Sequence, residues 1–254
     1  MSAPALDPVA DLVRRGDPDR FLSAMTAPEP GRSRLMALYA FNLELARAPF
    51  AVSEPMLARI RLQWWREALE EGRAGRPRRH EVAEPLAAAI AEAGAPQEPF
   101  ERLISAWERA VDAPPEGAAL AGWLRDTGAP VLSLAARMLA PEGADALAEP
   151  AGFAFAAAAW ARAAPALGAR GWSVPPAKDA QALARAALAE LAQARSGRGA
   201  APKAATPAFA AGWLAAPTLR AASRPDFDPM RGPPEPSPFR RRAGLLWVAA
   251  TGGW

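Results

Sequence analysis

The chain has 254 residues, 51% of them hydrophobic and 22% charged, with a formal net charge of +3 and no cysteine. That balance describes a globular chain long enough to bury a substantial core as one unit, and it excludes a disulfide framework, a thiolate nucleophile and a cysteine metal site. Nearly every basic residue is an arginine, and neither basic cluster, at 76–80 or at 240–242, is interleaved with aromatics as a single-strand nucleic-acid surface is, so no nucleic-acid partner is expected.

Residues 1–13 carry Asp7 and Asp11 and lack an unbroken apolar stretch behind a basic start, so a signal peptide is not expected and the cytoplasm is the expected compartment. Alanine, the best helix former, supplies most of the apolar excess, and no segment alternates in the period of a half-buried strand. Proline and glycine mark the joints. They predict helices over 17–25, 32–48, 54–71, 81–93, 97–111, 118–139, 144–164 and 177–194. In the third of these, Leu57, Ile60, Trp64 and Ala68 share one face and are expected to point to the core. The most apolar stretch, 151–169, is interrupted by Arg162 and Pro165 and reads as a buried helix rather than a membrane span. Segments 196–207 and 224–238 are rich in Gly, Ala and Pro and are expected to be irregular. A tail helix then begins near Pro238, with three arginines ahead of an apolar run. Packing back on the bundle is its ordinary outcome, and docking on a membrane surface or a partner is the alternative. The expectation is an all-α, single irregular helical bundle spanning 1–254.

Residues 34–42 read Arg-Leu-Met-Ala-Leu-Tyr-Ala-Phe-Asn. Further along come Leu-Gln-Trp-Trp-Arg-Glu-Ala-Leu at 62–69, a His-x-Val at His80, Phe-Glu-Arg-Leu-Ile at 100–104, Thr-Gly-Ala at 127–129 and Arg-Gly-Trp-Ser-Val-Pro-Pro at 170–176. In this order the motifs resemble those of squalene and phytoene synthases, over roughly residues 19–176. The resemblance implies the isoprenoid synthase fold and a cavity in which Mg²⁺ bridges prenyl diphosphates to aspartates on two facing helices. Magnesium takes hard oxygen ligands, and carboxylates four apart on a helix share a face, so two such pairs hold the metals that stabilise a leaving diphosphate.

Those aspartates are missing. Continuing the first motif, the positions of the family's Asp-Asp-x-x-Asp hold Ala46, Arg47 and Phe50; counting back from Arg170, those of its Arg-Asp-x-x-x-Asp hold Arg162, Ala163 and Leu167. No Asp or Glu occurs anywhere from 151 to 178, and Glu44 is the only carboxylate between Gly31 and Ser53. No metal and no cofactor are expected; Mg²⁺ enters only if the chain is a prenyltransferase with an unconventional site. Together with Phe41 to Ala46 and the Gln63-Trp64-Trp65 run, this resembles a degenerate branch, the phytoene-synthase-like assembly factor of mitochondrial respiratory complex I and its bacterial relatives. The implied role is assistance to complex I assembly at the membrane, with complex I subunits or assembly intermediates as partners. The alternatives are a prenyltransferase and a carrier of a lipid or isoprenoid.

Four residues are candidates for holding an anion or ligand in the emptied site: Tyr39, Arg47, Arg162 and Arg170. Guanidinium groups left without the acids form a directly cationic site for phosphate or a lipid headgroup. The alternative is that they pair with Glu44 or face solvent, and that Tyr39 and Phe41 are plain core. His80, in a basic loop, is expected to be solvated. The tryptophans are expected to fill the core, except Trp247 and Trp254 on the tail, which are interface candidates.

Overall fold

The structure, a computed structural model, describes residues 7–51, 54–140 and 145–254, and no strand occurs among them. Residues 1–6, which belong to the leader expectation, lie outside the described residues. The helices are α1 (Pro8–Gly16), α2 (Pro18–Ala24), α3 (Gly31–Arg47), α4 (Pro55–Arg73), α5 (Ala83–Ala93), α6 (Glu98–Asp112), α7 (Gly117–Leu139), α8 (Asp145–Gly168), α9 (Ala177–Ser196), α10 (Thr206–Ala210), α11 (Ala215–Ala222) and α12 (Pro238–Thr251). None is long and apolar enough to cross a membrane.

Local chemistry sets the starts. Asp7 and Asp17 each accept a backbone N–H of the first turn, from Val9 and Arg20, at 2.9 Å, and each is followed by a proline whose missing N–H costs nothing there. The same Asp-Pro signal therefore starts two helices, and the first, α1, precedes the earliest helix expected from the sequence. The 196–207 segment is less irregular than expected: it holds 3-10 turns at Arg198–Ala200 and Lys203–Ala205 before α10. Both α10 and α11 are additions to the predicted set. In the stretch leading into α10 alanine outweighs the Gly and Pro that read as breakers, and α11 falls where no element was predicted. Helix α8 runs on through Pro165 to Gly168, four residues beyond its expected end, with Gly232 of the segment between α11 and α12 packed on that proline.

The two longest helices, α7 and α8, form the central pair. Gly128 of α7 and Gly152 of α8 let the backbones touch: a Cβ on Gly128 would lie 2.1 Å from the Gly152 carbonyl oxygen. Helices α6 and α9 flank this pair, and α3 crosses α7 with its Leu35 to Phe41 stretch fully buried.

Helix α4 is turned relative to the expectation. Its core face is Ala58, Leu62, Trp65, Ala68 and Leu69, while Leu57 and Ile60 are exposed and Trp64 is half-buried. The face is set by Trp65, which packs edge-on against Phe41 at 5.2 Å, and by Arg66, which points to α6 and donates to both Glu101 and Glu108. Arginine ties other helices in the same way. Arg102 joins α6 to Asp126 of α7 and Glu149 of α8, Arg125 joins α7 to Glu190 of α9, and Arg34 joins α3 to Glu92 of α5.

His80 is not a solvated loop residue. Its ring packs on Trp64 and Trp65, at 5.1 and 5.3 Å, and Nδ1 accepts from the N–H groups of Val82 and Ala83, capping α5.

Candidate functional site

Helices α2, α3, α7, α8, α10 and α11 line a partly open cavity of about 100 Å³. Its walls are small or apolar: Val131, Leu132 and Ala135 from α7, Phe155, Ala158 and Ala159 from α8, Ala208 and Leu214 from the C-terminal third. Phe155 lies against Gly212 so closely that a Cβ there would be 2.0 Å from the ring. The polar groups are Asp17, Asp19 and Arg20 from the start of α2, Tyr39 from α3 and Arg162 from α8.

Each charged group on that wall is already engaged. Arg162 donates to Asp19 Oδ2 at 3.1 Å, and Arg241 of α12 stands 3.5 Å from Asp19 Oδ1. The carboxylate is 7% exposed, so the pair closes the polar end of the cavity with opposite charges in place. Asp17 is used as the cap of α2, and the Arg20 guanidinium lies over the Tyr39 ring at 5.4 Å.

Tyr39 is 1% exposed, and its hydroxyl is buried next to Ser23 without a hydrogen bond of good geometry. Burial, which penalises the phenolate, pushes its ionisation up to about 12, with Arg20 acting in the opposite direction.

The five positions that the resemblance aligns with metal-holding acids are packed or paired in the structure. Phe50, in the short 3-10 turn Ala48–Phe50 after α3, meets Trp172 at 5.2 Å; Trp172 meets Trp123 at 5.7 Å, and Trp123 meets Trp107 at 5.0 Å. Arg170 covers the Phe50 ring at 5.0 Å. Ala46 and Leu167 pack on the core, and Ala163 is half-buried beside Arg162. Arg47 donates to Glu44 at 3.2 Å.

The structure thus brings Tyr39 and Arg162 to one cavity and leaves Arg47 and Arg170 elsewhere, one on Glu44 and one on Phe50. The three arginines among the candidates do not form a single cationic patch. Sequence reasoning missed Asp17 and Asp19, which supply the carboxylates of the cavity in place of Glu44. The Asp-Pro-Asp run at 17–19 signals a helix start, and nothing in it reports that the second Asp meets an arginine far along the chain.

Magnesium does not fit these residues. Alanine, arginine, phenylalanine and leucine at the five positions offer no hard oxygen ligand, and among the described residues no group of three His, Asp or Glu side chains is placed to hold a metal ion.

Comparisons with known proteins agree on the lineage. A family description of squalene/phytoene synthase matches residues 13–182. The human NADH dehydrogenase (ubiquinone) complex I, assembly factor 6, is 34% identical over 73 residues, and the rat protein of the same name is 30% identical over 102. These matches cover 29% and 40% of this chain and only 22% and 31% of those proteins, well under half of their length. Among solved structures, a dehydrosqualene synthase in complex with ligand superposes with a TM-score of 0.75 at 14% identity, covering 95% of this chain and 94% of that one. The squalene synthase HpnC from Alicyclobacillus acidocaldarius superposes with a TM-score of 0.67 at 16% identity, covering 96% and 92%. The fold is therefore that of an isoprenoid synthase.

Proposed function

The chain belongs to the squalene/phytoene synthase family, and from that premise we propose that it is a non-catalytic member which assists assembly of respiratory complex I. The observation that carries the reading is the occupation of all five expected acid positions by Ala46, Arg47, Phe50, Ala163 and Leu167, with Phe50 built into an aromatic stack. A cavity of about 100 Å³ adds to it. Ligand pockets usually run to roughly 300–1,000 Å³, and a prenyl diphosphate needs both that room and metal ligands. The relatives that carry the name of a complex I assembly factor supply the direction of the role. Complex I subunits or assembly intermediates would be the partners, met at the cytoplasmic face of the membrane. Deleting the gene is expected to lower complex I content and NADH:ubiquinone activity while other respiratory complexes hold; an unchanged complex I would remove this reading.

One observation favours a second reading. Tyr39 lines a cavity with largely apolar walls, and its buried hydroxyl is a candidate donor or acceptor for one polar group on a small apolar ligand. Native mass spectrometry of freshly purified protein checks it: a co-purifying molecule that disappears in Tyr39→Phe supports a carrier, and bare protein removes it.

A further inference from the structure

The cavity leaves the tail unexplained. Helix α12 carries two faces. Inward, Leu245 and Val248 are buried, Gly244 seats against the Trp213 ring so closely that a Cβ would lie 2.6 Å from it, and Arg241 reaches Glu235 and Asp19. Outward, Phe239 is 80% exposed, Leu246 68% and Trp247 67%. With Arg240, Ala243 and Ala250 these residues follow one stripe of the helix, at spacings of three and four. The stripe cannot turn inward, because rotation would unseat Gly244, release Arg241 from Asp19 and pull the chain that holds Trp254 stacked on Phe209 at 4.5 Å. Three large apolar side chains are therefore held in water by the packing of the opposite face.

We propose that this outer face of α12 docks on an anionic lipid surface. The charge pattern selects that occupant. Residues 238–254 contain three arginines and no Asp or Glu; Arg241 is ion-paired inward with Asp19 and Glu235, and Arg240 is exposed beside the apolar stripe. A second copy meeting the same face across a two-fold axis would bring like charges together. Trp, Phe and Leu on one side with arginine beside them is the arrangement that lies in the headgroup region, and a helix of 14 residues, about 21 Å long, lies on a bilayer and does not span one. Anionic headgroups add about fivefold in affinity per arginine near the surface. The inference is independent of the assembly reading and is tested without complex I.

The test is co-sedimentation of the full chain with vesicles of phosphatidylcholine alone and of phosphatidylcholine mixed with phosphatidylglycerol. The chain is expected to bind the mixed vesicles, more weakly as salt rises. Trp247→Glu and Leu246→Glu, at exposed positions and checked by circular dichroism for an unchanged fold, should each weaken binding by tenfold or more, on the order expected for moving a charge into the apolar boundary. Arg240→Gln should weaken it by about fivefold. No binding to anionic vesicles, or binding that survives Trp247→Glu, overturns the proposal. A concentration-dependent dimer seen by light scattering and abolished by Trp247→Glu would also overturn it, by giving the face to a second copy.

Discussion

Asp19 and Arg162, 143 positions apart, meet at 3.1 Å and close the polar end of the cavity between α2 and α8. Asp19 is reached from a second side by Arg241 of α12, so one buried carboxylate links the beginning, the middle and the end of the chain.

Removing that carboxylate leaves Arg162 facing an apolar wall without a partner. Asp19→Ala is expected to cost about 2 kcal/mol in urea unfolding, below the roughly 3–5 kcal/mol of a fully buried pair because Arg162 keeps 25% of its side chain exposed. The double variant Asp19→Leu, Arg162→Leu should recover most of that loss, since two apolar residues replace two compensating charges. Additive losses would contradict the pairing.

Tyr39 is the only tyrosine in the chain, so the phenolate absorbance reports on it alone. In the folded protein the phenol is expected to stay neutral through pH 10 and to titrate at about 12, whereas in denaturant it should titrate near its ordinary value of 10. The sign for stability follows. A phenol raised in the folded state contributes fully below pH 10 and loses that contribution as pH rises from 10 toward about 12. Tyr39→Phe removes a buried hydroxyl without a hydrogen bond of good geometry and should leave stability unchanged or raise it by about 1 kcal/mol. A clear loss would mean that the hydroxyl is bonded.

Phe50→Asp returns a carboxylate to a position where the resemblance expects one, and it does so inside the stack formed with Trp172 and Arg170. It should lower stability by about 2–3 kcal/mol and should not be rescued by Mg²⁺. Recovery of the melting temperature on adding Mg²⁺ would show that the metal site is still latent.

Gly128→Ala tests the α7–α8 crossing. With the Gly152 carbonyl oxygen 2.1 Å from the new Cβ, the two backbones must separate, at a cost of about 3 kcal/mol by thermal unfolding. Gly122→Ala, on the same helix with open space around it, should be neutral or slightly stabilising and serves as the control.

Much of this architecture was legible in the sequence because helix starts and stops are local. Proline and glycine place α2 to α9 within a few residues, and the ordered motifs name the fold. The rotation of α4 was not legible. Leu57 and Ile60 satisfy a helical stripe as well as Ala58 and Leu62 do, and the choice between the two faces is made by Trp65 against Phe41 and by Arg66 against α6, contacts distant in sequence. Trp254 likewise reads as an interface residue from its place on the tail, yet it is buried against Phe209, while Trp247 on the same tail is exposed. At the site, the identities of Ala46, Arg47, Phe50, Ala163 and Leu167 could be read directly. The partners of the remaining arginines could not, since Asp19 and Arg162 come together only through the packing of α2 on the bundle.

The most direct test of the central claim is calorimetric titration of the purified chain with farnesyl diphosphate, with and without Mg²⁺, followed by product analysis of the same mixtures. The account predicts no magnesium-dependent heat and no condensed prenyl product. Magnesium-dependent binding with turnover would contradict it, because it would require a working metal site among residues that offer the ion no oxygen.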